Sequence, residues 1–90
     1  MIDPAYALEF TAAAEKDLRR LDRDEARRIV AKLRTTAESA ASGKHKALKG
    51  ELSGLYSLRV GSYRAIYTLY HEERVMVVEQ IGHRRDVYDK

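Results

Sequence analysis

The sequence contains no cysteine at all, and its three histidines, at positions 45, 71 and 83, are far apart along the chain. Without cysteine, disulfide scaffolds, zinc sites with cysteine ligands and thiol nucleophiles are excluded. Scattered histidines do not predict a metal site built from histidine alone. We therefore expect neither a metal nor another cofactor.

Long apolar runs are also missing. No segment approaches the roughly eighteen apolar residues that a membrane span requires, and the beginning of the chain, MIDPAYALEF, lacks the charged and then apolar regions of a signal peptide. The sequence therefore predicts a cytoplasmic protein with no membrane contact.

The chain has the length of one domain, and we predict a single domain over residues 1–90. It is 34% charged, with a formal net charge of +3. This excess of positive charge is compatible with a polyanionic partner but does not identify one.

The first half of the chain predicts one strand and two helices. Alternation at Tyr6, Leu8 and Phe10 is typical of a strand, and Thr11 has the chemistry of an N-cap for the short helix that follows. A second, longer helix is predicted to run to about Ser39. Its apolar stripe consists of Ala26, Ile29, Val30, Leu33 and Ala37.

The second half predicts three more strands. The glycine- and lysine-rich segment 42–54 is interpreted as a loop, and strand-like runs follow at 55–60, 63–70 and 75–81. The predicted fold is α+β, in the order β-α-α-β-β-β. A helical hairpin packs on one face of a small, mainly antiparallel sheet.

Turn lengths predict which strand residues share a face. A two-residue turn at 61–62, with glycine first as in a type II′ turn, places Arg59 opposite Arg64. A regular four-residue turn at 71–74 pairs Ile66 with Glu79, Arg64 with Ile81 and Ser62 with His83. This register puts Arg59, Arg64, Glu79 and His83 together on the sheet face away from the helices, with Gln80 on the core face. A bulge at Gly82 would exchange His83 for Arg84.

Two interpretations of this predicted cluster stay open. In one, Glu79 neutralises the two arginines as a structural ion pair. In the other, the arginines hold phosphate, because their planar guanidinium groups cannot lose their protons. Cleavage of RNA without metal would need a base for the 2′-OH, such cations for the phosphate and an acid for the departing 5′-oxygen. His83 is a candidate for proton transfer, and Tyr88 could stack on a nucleobase or position it. On these residues alone, a passive RNA- or protein-binding module is favoured over a nuclease.

Two segments, LKGELSGLYSLRVGSYRAIY and VMVVEQIGHRRDVY, resemble the RelE/ParE superfamily of toxins from type II toxin-antitoxin systems. The element order agrees over nearly the whole chain, and the specific likeness spans residues 48–88. RelE-like members are ribosome-dependent endoribonucleases that cut messenger RNA in the A site without metal. The resemblance thus implies such an enzyme, which inhibits translation.

The resemblance also implies residue roles and partners. Arg64 and Arg84 would bind the phosphate and stabilise the transition state, and Tyr88 would orient the substrate, with His83 as a candidate acid. The implied RNA-binding residues are Lys44, Lys46, Lys49, Arg59 and Arg85. The implied partners are the ribosome, messenger RNA and a cognate antitoxin, through which the toxin would also reach operator DNA.

The chain departs from the RelE pattern in one place. The stretch LYSL, at residues 55–58, lacks the lysines that precede the hairpin arginine in RelE. Lys46, Lys49 or His83 could act as the base instead. ParE-like members, which poison DNA gyrase without catalysis, are the main alternative, and a relative that only binds its antitoxin is a third.

Overall fold

The structure, a computed structural model, describes residues 6–38, 46–47 and 55–83. The predicted order of helices and strands is confirmed, with one additional short strand in the segment interpreted as a loop. The elements are β1 (Ala7–Phe10), α1 (Ala12–Arg19), α2 (Arg23–Glu38), β2 (Lys46–Ala47), β3 (Tyr56–Val60), β4 (Tyr63–Tyr70) and β5 (Val75–His83).

The strands form one mixed sheet in the order β1-β5-β4-β3-β2. β1 pairs with β5 in parallel, and the other neighbouring strands are antiparallel. α1 and α2 pack on one face of this sheet, as predicted. Across the described ranges, neither helix is both long enough and apolar enough to cross a membrane.

The core lies between the two helices and the sheet face that they cover. From α2, Ile29, Leu33 and Ala37 are at most 2% exposed, and their four-residue spacing places them on one side of the helix. Ala26 and Val30, from the same predicted stripe, are only half-buried. The sheet contributes seven buried core residues: Val60, Ala65, Tyr67, Leu69, Met76, Val78 and Ile81.

Thr11 begins α1, as the sequence predicts. Its side-chain oxygen accepts a hydrogen bond from the Ala14 N–H at 3.1 Å, which satisfies one of the free N–H groups of the first turn. Ala14 itself is fully buried. The cap therefore fixes the point at which the chain leaves β1 and enters the core-facing helix.

Two tyrosines stack on the helix-facing side of the sheet. Tyr56 and Tyr67 are directly opposed on β3 and β4, with ring centroids 5.6 Å apart and ring planes at 23°. Burial of Tyr67, which is 1% exposed, raises its pKa to about 12, and the neighbouring Tyr56 acts in the same direction.

The turn between β3 and β4 has the predicted length. Val60 pairs with Tyr63, and Gly61 has a φ of 59°, a left-handed conformation that glycine adopts without a steric penalty. Ser62 is not among the described residues with positive φ. Positive φ at the first turn position alone agrees with the predicted type II′ turn.

Candidate functional site

Arg59 and Arg64 lie directly opposite each other on β3 and β4, as predicted. Their neighbours Val60 and Ala65 point into the core, so the arginines lie on the sheet face away from the helices. Arg59 is exposed, whereas Arg64 is half-buried and its Nε is shielded from solvent. Directly opposed like charges cost at least a few tenths of a kcal/mol. A bound anion would relieve this repulsion.

The predicted register holds only for the first part of the β4–β5 hairpin. Tyr70 pairs with Val75 and Tyr67 with Val78, as expected from a four-residue turn. The register then shifts between Ile66 and Tyr67, so that Ile66 pairs with Gln80 instead of the predicted Glu79. Glu79 is therefore the extra residue of a β-bulge.

The bulge reverses the predicted faces of the strand residues after Glu79. Ile81, predicted to lie opposite Arg64, pairs with Ala65 and is 3% exposed within the core. Gln80, predicted to face the core, is exposed. Gly82 is the residue opposite Arg64. We call Arg59, Arg64 and Gly82, which form one cross-strand row, the arginine face.

The predicted position of His83 on the arginine face is wrong. His83 pairs with Tyr63 instead of Ser62, and the two rings meet edge to face with centroids 5.8 Å apart. The bulge, which lies at Glu79 and not at Gly82, moves His83 to the side of the sheet that carries Tyr63. Its role as a proton donor stays a prediction.

Glu79 is held by contacts on both sides of β5. Its carboxylate accepts a hydrogen bond from Thr68 Oγ1 at 3.1 Å, and its backbone carbonyl accepts one from Thr11 Oγ1 at 3.0 Å. The hydroxyl of Thr11 therefore links the start of α1 to the bulge. The predicted ion pair between Glu79 and Arg64 stays a prediction.

The last part of β5 is held by α1. Pairing between β1 and β5 ends at Phe10 and Val78, so β1 does not reach this part of the strand. Beyond that point the Ile81 N–H donates to Asp17 Oδ2 at 2.9 Å. Asp17 was not predicted as a site residue. Its only signal is a carboxylate near the end of a short helix, where the helix dipole disfavours negative charge.

A cleft of about 350 Å³ opens at this end of β5. It combines the ring of Tyr63, the imidazole of His83 and the amide of Gln80, groups that can stack on a nucleobase or form hydrogen bonds with it. Among the described residues, the lining consists of Asp17, Arg20, Leu21, Tyr63, Gln80, Ile81, Gly82 and His83.

Lys46 belongs to the short strand β2, where a loop was expected. In the backbone register it lies opposite Ser57, which lies opposite Ile66. This row is next to the arginine face and on the same side of the sheet, because Ser57 and Arg59 are two residues apart on one strand. The role of Lys46 as the base stays a prediction.

The other predicted site residues fall outside the described residues. They are Arg84, Arg85 and Tyr88, which follow β5 in the chain, and Lys44 and Lys49, on either side of β2. Their predicted roles stay predictions.

Comparison with known proteins gives consistent matches along most of the chain. The family model described as "ParE toxin of type II toxin-antitoxin system, parDE" matches residues 8–88. Toxin RelG of Mycobacterium tuberculosis (strain ATCC 25618 / H37Rv) is 33% identical over 87 residues, which cover 92% of this chain and 95% of that protein.

Solved structures agree with these sequence matches. The toxin-antitoxin complex RelBE2 from Mycobacterium tuberculosis contains a chain with a TM-score of 0.68 and 31% identity, with 92% of this chain and 95% of that chain covered. The isolated E. coli RelE toxin has a TM-score of 0.74 and 26% identity, with 88% of this chain and 84% of that chain covered.

Proposed function

This chain belongs to the RelE/ParE family of type II toxin-antitoxin toxins, and from that premise we propose that it cuts messenger RNA in the ribosomal A site. The observation that carries the proposal is the pair of opposed arginines, Arg59 and Arg64, on the sheet face away from the helices. Such a pair suits a phosphate with more than one negative charge in the transition state. The likeness to the E. coli RelE toxin supports the RelE-like branch.

The proposed reaction is a transesterification that requires no metal. The ribose 2′-oxygen attacks the adjacent phosphorus, a bond from this oxygen to phosphorus forms, and the bond to the 5′-oxygen breaks. A base accepts the proton of the 2′-OH, and an acid donates a proton to the departing 5′-oxygen. The products are a 2′,3′-cyclic phosphate and a 5′-hydroxyl.

The arginines stabilise the charge that develops on phosphorus. Arg64 lies on the central strand β4, opposite Gly82 of β5. Arg84 comes two residues after Gly82 in the sequence. In this assignment Arg64 and Arg84 bind the reacting phosphate, Arg59 binds the strand beside it, and Tyr88 orients the substrate.

Lys46 is the proposed base, since its register position lies beside the arginine face. In its neutral form the amine would accept the proton of the ribose 2′-OH. His83 is the proposed acid. It is one residue from Gly82, so it borders the arginine face without lying on it.

The proposal includes the partners of the toxin. The RelBE2 structure is a complex of a toxin with its antitoxin. By similarity, we propose that a cognate antitoxin binds this chain, covers its basic surface and supplies the contacts to operator DNA. Lys44, Lys49 and Arg85 would add contacts to RNA backbone through charge.

Primer extension on a translated message, with purified protein and ribosomes, tests the proposal. We expect ends positioned at codons with the wild type, and a loss of about 100-fold or more in Arg84→Ala, the range for removal of one donor to a transition-state oxyanion. Arg27→Ala, an exposed residue of α2, is the charge-matched control and should cut normally. Full activity in Arg84→Ala would contradict the assignment of Arg84.

Gyrase poisoning is the second candidate, because the matching family model is that of ParE toxins and residues 55–58 lack lysine. The same experiment separates the two functions. An intact message, together with trapped gyrase–DNA cleavage complexes in treated cells, would overturn the ribonuclease proposal.

A further inference from the structure

A second basic surface lies on the edge of the molecule, between α2 and the turn that joins β3 to β4. A groove of about 440 Å³ opens there, which we call the α2 groove. Its lining residues are Arg28, Ala31, Lys32, Thr35, Arg59, Val60 and Gly61.

The α2 groove is strongly positive. Arg28, Lys32 and Arg59 contribute three cations, and none of the lining residues that the structure describes carries a carboxylate. Arg28 has an ion pair with Glu25 at 3.5 Å, but its side chain is 63% exposed. Exposed pairs of this kind contribute little and are screened by salt, so Arg28 can exchange this contact for an anion.

The floor of the groove is made of small or buried groups. Ala31 is small, Val60 is only 7% exposed, and a Cβ added at Gly61 would meet nothing within 4 Å. A helix of a partner protein needs apolar anchor sites along its groove. Among the described lining residues no large apolar side chain is available as such an anchor site, because Ala31 is small and Val60 is buried. Three cations around an open space instead fit a phosphodiester backbone.

Arg59 connects the α2 groove with the arginine face. Its register position is opposite Arg64, and it also lines the groove. Within the described residues, β2 pairs only with Tyr56 and Ser57 of β3, so the part of β3 that carries Arg59 is an edge on this side. The two basic surfaces are therefore continuous around the edge of β3.

We infer that the α2 groove is a second RNA-backbone site, which holds phosphates away from the point of cleavage. The inference rests on the proposed function for its biological setting. The phosphates come either from ribosomal RNA or from the message next to the cut codon, and both present the same chemistry to Arg28 and Lys32.

Binding measurements test this inference separately from cleavage. We would compare the wild type with Arg28→Ala/Lys32→Ala, using vacant 30S subunits and a labelled single-stranded RNA of about 20 nucleotides as probes. The control is Arg27→Ala/Arg34→Ala, which removes the same charge from exposed positions of the same helix outside the groove.

The groove variant should bind on the order of tenfold more weakly than the control, and the slope of log K against log salt should fall by about two, one for each lost phosphate contact. Weakening with 30S subunits alone identifies ribosomal RNA as the source. Weakening with the single-stranded RNA alone identifies the message strand, because vacant 30S subunits carry no message. Weakening with both probes again identifies ribosomal RNA, which then uses the same phosphate contacts.

Three results with the variants would overturn the inference: equal weakening in both double variants, unchanged RNA binding in the groove variant, or loss of antitoxin affinity with RNA binding intact. The last would make the groove a protein-binding site. A wild type that binds neither probe also overturns it. A protein that binds RNA through the groove but leaves the message intact contradicts only the proposed ribonuclease activity.

Discussion

The hydrogen bond between Asp17 and the Ile81 N–H leads to a specific prediction about the end of β5. Asp17→Ala removes the acceptor that lies 2.9 Å from this N–H. Ile81 is 3% exposed, so water does not readily replace the lost carboxylate. We expect the protein to become less stable and the end of β5 to open more often.

The size of the effect follows from three contributions. A buried N–H left without an acceptor costs about 1–3 kcal/mol. Two smaller effects oppose it, because a carboxylate near the end of a helix is disfavoured by about 0.3–1 kcal/mol and alanine is the better helix former by about 0.5 kcal/mol. The expected net loss is about 1 kcal/mol. At about 4–8 °C per kcal/mol for a domain of this size, the melting temperature should fall by about 4–8 °C.

Thermal unfolding and amide hydrogen exchange measure this prediction. Asp17→Asn keeps an oxygen acceptor and should lose about half as much stability, and Glu15→Ala, an exposed change on the same helix, serves as the control. Exchange at the Ile81 amide should accelerate in Asp17→Ala more than exchange in β3. If Asp17→Ala melts like Glu15→Ala and Ile81 stays equally protected, α1 does not hold the end of β5.

Two further changes test the sheet. The pKa of Tyr67 is raised to about 12, against about 10 in the unfolded chain. The contribution of the neutral Tyr67 side chain to the free energy of unfolding is therefore complete below pH 10 and is lost as the pH rises through 12. The stability advantage of wild type over Tyr67→Phe in urea unfolding should therefore shrink by up to about 3 kcal/mol over that window, and parallel curves would show the raised pKa to be wrong. Gly61→Ala should lower the free energy of unfolding by about 1–2 kcal/mol, because alanine is strained at the left-handed φ of this position. Ser62→Ala is the control and should be nearly neutral. An unchanged denaturation midpoint in Gly61→Ala would refute this prediction.

Local patterns predicted most of the fold. The apolar stripe of α2, the hydroxyl of Thr11 and the glycine at position 61 each act within a few residues, so the sequence carries their signals directly. The strand β2 was not predicted because two residues are too short to show a period. Its formation depends on pairing with β3, a contact distant along the chain.

The bulge in β5 was missed for a related reason. VMVVEQI has no clear alternation in its first half, because Val75 and Val77, which are only half-buried, are as apolar as the buried Met76 and Val78. Register is then poorly specified by pattern. The two adjacent polar residues, Glu79 and Gln80, were the available signal. Two consecutive residues opposite one partner form a bulge, and here both lie opposite Ile66.

The bulge also determines what lies across from Arg64. In a regular ladder that position would belong to Ile81, whose side chain would cover the guanidinium and limit its access to a ligand. The extra residue moves Ile81 into the core and brings Gly82, which has no side chain, opposite Arg64. A phosphate can approach Arg64 from above β5 only if no side chain of this strand fills that space. The same shift that removes His83 from the arginine face would therefore favour anion binding there, because it replaces an apolar side chain opposite Arg64 with a glycine.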